Sequence, residues 1–307
     1  MPDKTKKTIS ASQAAALFGV SPYITRRALF DHFHDNVDIE SDENRRMDFG
    51  KYVQPYICRR TSDEFNLEVI ENEEDKYVRH KQAPFGCTTD AHLKCPTRGR
   101  GVVEAKSISY QVFRETWTDR KAPLHIEIQV QEQLLVTGAD WAVIAVMIGA
   151  DEDFRWFERK PDREVFKRLL AEGKQFFEDI KKHRRPPVTG HPIELRGLEA
   201  LFPVTKNGVV YDAPKDDKTG DLLRRYEYHR AERLFHKKNE DELKIKILDV
   251  AKDASEMRCY GANARISKTP MTAQTIRKEE HLRTSIRVEV HDDVEPLPDV
   301  GGFAIEA

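Results

Sequence analysis

Four short stretches of the sequence contain residues that could together hydrolyse a phosphodiester bond. They are Gly50–Pro55, Thr88–Asp90, Glu104–Lys106 and Gln129–Gln131. If Asp90 and Glu104 lie on neighbouring strands, their carboxylates can converge on one Mg²⁺ ion, which prefers oxygen ligands and retains bound waters. Two carboxylates and one backbone carbonyl are then a sufficient set of protein ligands.

The residues next to the two acids fit the same chemistry. Lys106 lies two positions after Glu104, so on a strand both side chains are on one face. A metal ion generates hydroxide and shields the phosphate, while a lysine orients or deprotonates the water. The amide of Gln129 can position that lysine. Taken alone, this spacing has a second interpretation, a surface salt bridge on an edge strand.

The pattern of apolar residues predicts the elements that position this group. Gly101–Lys106 follows a turn and is predicted as a strand. Trp141–Ile148 is a continuous apolar run typical of a central buried strand. Phe49–Arg60 and Pro123–Val136 have helical spacing, and Gly138 ends the second helix. Pro161 begins a long amphipathic helix.

The N-terminal region predicts two short helices. Ser12 is expected to cap a helix over Gln13–Phe18, and Ser21-Pro22 to open a second helix that continues over Tyr23–Phe33. The free amides at the start of a helix attract phosphate. Lys6 and Lys7 lie just before Ser12, so this end is a candidate phosphate site.

The second half of the chain is predicted to form a separate module. Prolines and glycines at 184–206 indicate a boundary. Residues 221–256 are helical, as one long helix or as a hairpin broken near Asn239, and 257–266 and 283–290 have β-like character. The predicted organisation is a core at 1–185, a linker at 186–215, a helical and β extension at 216–290 and an acidic flexible tail at 291–307.

Composition excludes several classes of protein. Of the 307 residues, 39% are hydrophobic and 34% are charged, which is enough for a packed core. The longest apolar run is too short to span a bilayer, and the start of the chain is charged. The four cysteines are not spaced as the ligands of a metal-binding knuckle, and four in a chain of this length do not indicate a disulfide scaffold. The net charge of −2 gives no global nucleic-acid signature. We therefore expect a cytoplasmic protein, with no membrane contact.

These segments resemble the YqaJ-type viral recombinase family, the lambda exonuclease family within the PD-(D/E)xK nuclease superfamily. The resemblance covers roughly residues 8–183. It is carried by residues 9–14, Phe49-Gly50-Lys51, residues 87–90, residues 103–106 and the stretch from Gln129 to Gly138. It implies an α/β fold, in which a central mixed β-sheet is flanked by helices, plus a C-terminal helical extension with a small β segment.

The resemblance also implies roles for individual residues. Asp90 and Glu104 match the metal carboxylates, with the backbone carbonyl of Ala105 as a further ligand. Lys106 matches the catalytic lysine, and Gln129 the glutamine of the family motif. Ser12 matches a serine near the DNA end. The implied cofactor is Mg²⁺, for which Mn²⁺ can substitute.

The implied activity is exonucleolytic digestion of linear double-stranded DNA from the 5′ end. The product is a 3′ overhang for phage-type recombination by a single-strand annealing protein. The implied assembly is a homo-oligomer, a trimer by resemblance, in the cytoplasm of a bacterial or phage-infected host cell.

The sequence departs from the family pattern at two places. The family has a glutamate that helps to hold the second metal where this chain has Gln54, and a neutral amide is a poorer Mg²⁺ ligand. Activity with one metal, use of another carboxylate, an inactive protein and a deliberate Glu→Gln change all stay open.

The second departure is the absence of the arginine that precedes the family's serine motif. We therefore expect the 5′-phosphate to meet Lys6, Lys7, Arg26 or Arg27. The alternative functions are an impaired DNA-end-binding recombination protein and a restriction-type endonuclease. His125, four residues before Gln129 on the same helix face, is interpreted as a surface or capping residue, with a role in the cleft as the alternative.

Overall fold

The computed structural model divides the chain into two compact units, residues 1–203 and 204–307. The division falls inside the segment predicted as a linker. The structure describes residues 8–39, 45–71, 77–118, 121–149, 153–204, 210, 212, 219–251, 256–259 and 262–265.

A five-stranded mixed sheet is the centre of the first unit. Its strands are β2 (Glu68–Glu71), β5 (Ala91–Cys95), β6 (Gly99–Ile108), β7 (Trp141–Ile148) and β8 (Asp153–Arg159). They lie side by side in the order β2-β5-β6-β7-β8, and only the β6–β7 pair is parallel. All eight residues of β7 are buried, as predicted for a central strand. The predicted mixed sheet is confirmed, whereas β5 was not predicted.

A smaller sheet joins the N-terminus to the middle of the chain. Its strands are β1 (Ile9–Ser10), β3 (Val78–Arg79) and β4 (Phe85–Cys87), in the order β1-β4-β3. Ile9 pairs in parallel with Phe85. This pairing fixes the start of the first helix against the rest of the unit.

Seven α-helices are described in the first unit, and they flank the two sheets. They are α1 (Ala11–Ala14), which continues as a 3₁₀ turn over Ala15–Phe18, α2 (Arg26–Asp35), α3 (Arg45–Phe65), α4 (Tyr110–Thr116), α5 (Leu124–Thr137), α6 (Arg163–Lys181) and α7 (Glu194–Leu201). Helix α5 ends at Gly138, whose φ of +64° suits glycine. Helix α4 was not predicted, and α7 lies within the segment predicted as a linker.

The two faces of the main sheet pack against different helices. On one face, Val102 of β6 joins a buried cluster with Val130 and Leu134 of α5. On the other face, Val103 of β6 joins a cluster with Ile57 of α3. Because side chains alternate along a strand, Glu104 and Lys106 share the α5 face with Val102.

The two N-terminal helices begin at other residues than predicted. The cap of α1 is Ser10, because it is the extended last residue of β1 and its amide donates to Gln13 Oε1 at 3.1 Å. Ser12 lies inside the helix. Helix α2 begins at Arg26 under the cap of Thr25, because Ser21 Oγ accepts from the amides of residues 23 and 24 and holds that stretch in a turn.

The second unit contains one long helix and a β-hairpin. Helix α8 (Thr219–Ala251) runs for 33 residues, so the alternative of a helical hairpin broken near Asn239 is wrong. Strands β9 (Glu256–Cys259) and β10 (Ala262–Arg265) pair antiparallel. The predicted β segment at 283–290 and the acidic tail lie outside the described residues. Among the helices of the described part of the chain, none has the length and apolarity to cross a membrane.

Candidate active site

The sheet register brings the two predicted acids together. Asp90 directly precedes β5, and Ala91 pairs with Val103 of β6. The position opposite Asp90 is therefore Glu104, on the same face of the sheet. Asp90 Oδ2 accepts a hydrogen bond of 2.7 Å from the amide of Ala105, which fixes the aspartate against β6.

Glu104 is the centre of a buried hydrogen-bond network. Its side chain is only 3% exposed. Oε1 accepts from Gln129 Nε2 at 2.7 Å and lies 2.5 Å from Lys106 Nζ. Lys106 Nζ also donates to Gln129 Oε1 at 3.4 Å. Gln129 thus bridges the acid and the lysine, and its positioning role stays a prediction.

A second glutamine of α5, Gln133, was missed by the sequence analysis. Its Nε2 donates to Glu104 Oε2 at 2.5 Å, so both oxygens of Glu104 accept from α5. Gln133 is 1% exposed, and its Oε1 is buried without a partner. Its spacing of one helical turn from Gln129 was the available signal.

The neighbouring Gln131 has a different environment. Its Nε2 donates to the carbonyl of Lys160 at 2.9 Å, and its Oε1 accepts from the amide of Asp162 at 2.9 Å. Gln131 therefore ties α5 to the start of α6. Of the two glutamines in the motif Gln129-Val130-Gln131, the first hydrogen-bonds Glu104, whereas the second does not.

The charges of this group perturb one another. Burial and the negative charge of Glu104 raise the pKa of Asp90 to about 7, against the opposing effects of the Ala105 amide and Lys106. Burial lowers the pKa of Lys106, but the attraction and hydrogen bond of Glu104 and the charge of Asp90 outweigh it, so the net shift is upward. Lys106 is therefore a stable cation beside two carboxylates.

The donor set fits one hard divalent cation. Within the described residues, no cluster of three or more His, Cys, Asp or Glu side chains is placed to hold a metal. Asp90 and Glu104 nevertheless present two carboxylates on one face, and their mutual repulsion is what a cation would relieve. Mg²⁺ accepts such a site because waters and a carbonyl complete its shell.

Two further side chains lie at the edge of this group. Burial and the nearby charge of Lys106 lower the pKa of His125, which favours the neutral imidazole. Its ring meets that of Tyr23 edge-on, with 5.7 Å between centroids. The half-buried His125 is therefore beside the catalytic candidates rather than a remote surface residue.

Gln54 is not part of the hydrogen-bonded group. It is half-buried on the side of α3 that carries Cys58, one turn later. That side packs on the sheet face of Val103, opposite to the face of Glu104 and Lys106. Its predicted metal role stays a prediction.

The candidate phosphate-binding residues lie in different environments, and some of them are already paired with carboxylates. Ser12 Oγ lies 3.1 Å from Ser10 Oγ at the start of α1. Arg26 pairs with Glu172 of α6 at 2.6 Å, and Arg27 pairs with Asp31 at 2.9 Å. Both arginines hold α2 in place. Lys6 and Lys7 lie outside the described residues.

Residues 3–140 match the YqaJ-like viral recombinase domain. The matched residues include the whole hydrogen-bonded group, which consists of Asp90, Glu104, Lys106, Gln129 and Gln133. The resemblance predicted from the sequence is confirmed. Among curated proteins, none matches the chain.

The chain is also similar to solved exonuclease structures. An alkaline exonuclease from Laribacter hongkongensis is 18% identical, with a TM-score of 0.48, over 64% of this chain and 94% of that chain. A phage-related exonuclease from Haemophilus somnus is 10% identical, with a TM-score of 0.43, over 58% of this chain and 96% of that chain.

Proposed function

We propose that this protein is a Mg²⁺-dependent exonuclease on linear double-stranded DNA. It removes nucleotides from the 5′ end and leaves 3′ overhangs for phage-type recombination. The observation that supports this proposal is the hydrogen-bonded group of Asp90, Glu104, Lys106 and Gln129 within the YqaJ-like domain. The family match supports the broader class, a nuclease of viral recombination.

In this proposal Asp90, Glu104 and the carbonyl of Ala105 hold Mg²⁺, or Mn²⁺ in its place. A divalent cation held there would contribute Lewis acidity, which would ease loss of a proton from water and offset negative charge on the phosphate. The backbone amide of Ala105 orients Asp90, and the side-chain amides of Gln129 and Gln133 orient Glu104. Lys106 positions the attacking water, because its ammonium group is held beside Glu104 by Gln129.

The DNA end is assigned to the N-terminal region. Ser12 and the start of α1 offer hydrogen-bond donors to a 5′-phosphate, and Lys6 and Lys7 supply positive charge. Arg26 and Arg27 are weaker candidates than the lysines, because each would have to leave a carboxylate to bind phosphate. By resemblance, we extend the proposal to a homotrimer and to a single-strand annealing partner.

A second candidate function is that of a catalytically impaired DNA-end-binding protein. Gln54 favours it, because an amide in place of a carboxylate weakens a second Mg²⁺ site. This candidate predicts DNA-end binding with slow or absent cleavage.

Digestion assays separate the candidates. A linear duplex with a 5′-phosphate and a label at one end, and a circular duplex of the same sequence, are incubated with Mg²⁺ and this protein or its Gln54→Glu variant. Loss of linear DNA from the 5′ end alone supports the exonuclease. Cutting of the circle indicates an endonuclease. If this protein binds ends without cutting them, whereas Gln54→Glu cuts, the impaired form is supported.

A further inference from the structure

Helix α3 presents a row of aromatic and basic side chains on the side that faces away from the sheet. The exposed fraction is 85% for Tyr52, 46% for Phe49 and 41% for Tyr56. Residues three and four apart on a helix are neighbours on one face, so the three rings form one row. Arg45 and Arg59 are also exposed and extend the row at its two ends. We call these five residues the outer face of α3.

The charge of α3 is positive where the rings lie. From residue 45 to residue 60 the helix has five basic side chains and one acidic side chain, Asp48. Asp63 and Glu64 follow in the last turn, where they line a concavity together with Tyr56 and Arg59. Over residues 45–60 the positive charge predominates, so a partner that combines negative charge with flat apolar groups suits this surface.

We propose that the outer face of α3 binds single-stranded DNA. In a duplex the bases are stacked on each other, so an exposed ring can stack only on an unpaired base, whereas duplex backbone requires charge alone. The rise of a helix separates Phe49 from Tyr52 by about 4.5 Å and Tyr52 from Tyr56 by about 6 Å along the axis. Rings in this order can receive successive bases, while the arginines meet the phosphates.

This inference rests on the proposed function, since resection of one strand leaves the other unpaired. It adds a surface to that function, because α3 lies on the face of the sheet opposite to Glu104. Tyr52 is two residues from Gln54 and points to the other side of the helix. An unpaired strand on the outer face would thus lie on the helix that contains the proposed second-metal residue, without occupying the acidic group.

The test measures binding by the full chain in a chelator, so that no DNA is digested. Fluorescence anisotropy is recorded with labelled oligodeoxythymidylate, which has no self-complementarity, and with a blunt duplex. Tyr52→Ala/Tyr56→Ala should weaken binding of the single strand by about tenfold or more, because each stacked base contributes substantially. Binding of the duplex should be unchanged. Tyr52→Phe/Tyr56→Phe should retain binding, and Tyr228→Ala, an exposed tyrosine of α8, is the matched control.

The charge of the surface is tested separately. Arg45→Gln/Arg59→Gln should flatten the salt dependence of single-strand binding, since fewer counterions are released, whereas the tyrosine variants should keep the slope. Unchanged single-strand affinity in Tyr52→Ala/Tyr56→Ala would overturn the proposal, and so would an equal loss for the duplex. A fall in oligomeric mass of that variant, by light scattering, would assign the face to a contact between copies and also overturn it. Failure of the protein to digest linear DNA would refute the proposed function but leave this binding result intact.

Discussion

In protein without bound metal, replacement of Asp90 by asparagine should stabilise the first unit at alkaline pH. Asp90 lies opposite Glu104 on the sheet, and burial together with that charge raises its pKa from 3.8 to about 7. An ionised Asp90 is therefore unfavourable in the folded protein. Asparagine keeps the shape and can still accept from the amide of Ala105, but it cannot ionise.

The direction and size of the effect follow from linkage. Because the folded pKa lies above the unfolded pKa, stability from the protonated Asp90 is complete below about pH 4 and is lost as the pH rises to about 7. At about 1.4 kcal/mol per pKa unit, the loss at pH 8 is at most about 4.5 kcal/mol. About 3 kcal/mol of it falls between pH 5 and pH 8. These are upper limits, since the carboxylate is half-buried and water screens part of the repulsion.

The measurement is urea unfolding with a chelator at about pH 5 and pH 8. Tryptophan fluorescence reports on the first unit, because Trp117, Trp141 and Trp156 all lie in it. The free-energy gap between Asp90→Asn and the parent should widen toward alkaline pH. Asp48→Asn, on the exposed side of α3, is the control for loss of one negative charge. Excess Mg²⁺ should narrow the gap at pH 8, because it binds the ionised parent.

If Asp90→Asn and the parent differed in unfolding free energy by the same amount at both pH values, this reasoning would be refuted. Asp90 would then ionise as an ordinary aspartate, and the pair with Glu104 would not be crowded. If the difference in unfolding free energy at pH 8 were the same in Mg²⁺ as in chelator, the assignment of Asp90 as a metal ligand would be contradicted separately.

Other substitutions test the remaining roles. Gln133→Leu should lower Mg²⁺ affinity or the cleavage rate by about 10- to 100-fold, as for other residues that orient a metal ligand, which calorimetry and digestion measure. Lys106→Ala should abolish cleavage but retain calorimetric Mg²⁺ binding. Gln54→Glu should raise the single-turnover rate by about tenfold or more, and equal rates would show that residue 54 is not a ligand. Lys6→Gln/Lys7→Gln should weaken duplex binding and flatten its salt dependence, and an unchanged slope would place the 5′-phosphate elsewhere.

The elements that the sequence predicted are those with an uninterrupted pattern. Trp141–Ile148 is entirely apolar, and α5 and α6 have helical spacing over several turns, so local pattern and tertiary packing agree. Strand β5, with the sequence Ala-His-Leu-Lys-Cys, has a weak strand pattern because alanine and lysine are depleted in strands. It forms a strand because β6 pairs with one edge in a hairpin and β2, about twenty residues earlier in the chain, pairs with the other.

The N-terminal cap shows a similar limit. Ser10 and Ser12 are both good caps by residue type. The pairing of β1 with β4, through Ile9 and Phe85, holds Ser10 in the extended conformation that a cap requires. Since that contact spans 76 positions of the sequence, the choice between the two serines was not available locally.

Within the site, spacing predicted the strand residues better than the helix residues. The alternation of a strand places Glu104 and Lys106 on one face wherever the strand lies. The residues of α5 that reach Glu104 depend on how the helix is rotated above the sheet. That rotation selects Gln129 and Gln133 for the acid and leaves Gln131 for the start of α6.

The chemical type of these α5 contacts matters for the metal. Glu104 accepts from two neutral amides, which fix the direction of its oxygens without removing its charge. Arginines or lysines at those positions would hold the carboxylate as firmly but would oppose a divalent cation at close range. Lys106, the cation that the described residues place in this group, is held 2.5 Å from Glu104 Oε1 and also donates to Gln129 Oε1. Two neutral amides therefore fix the direction of the Glu104 oxygens, and Lys106 supplies a positive charge beside them.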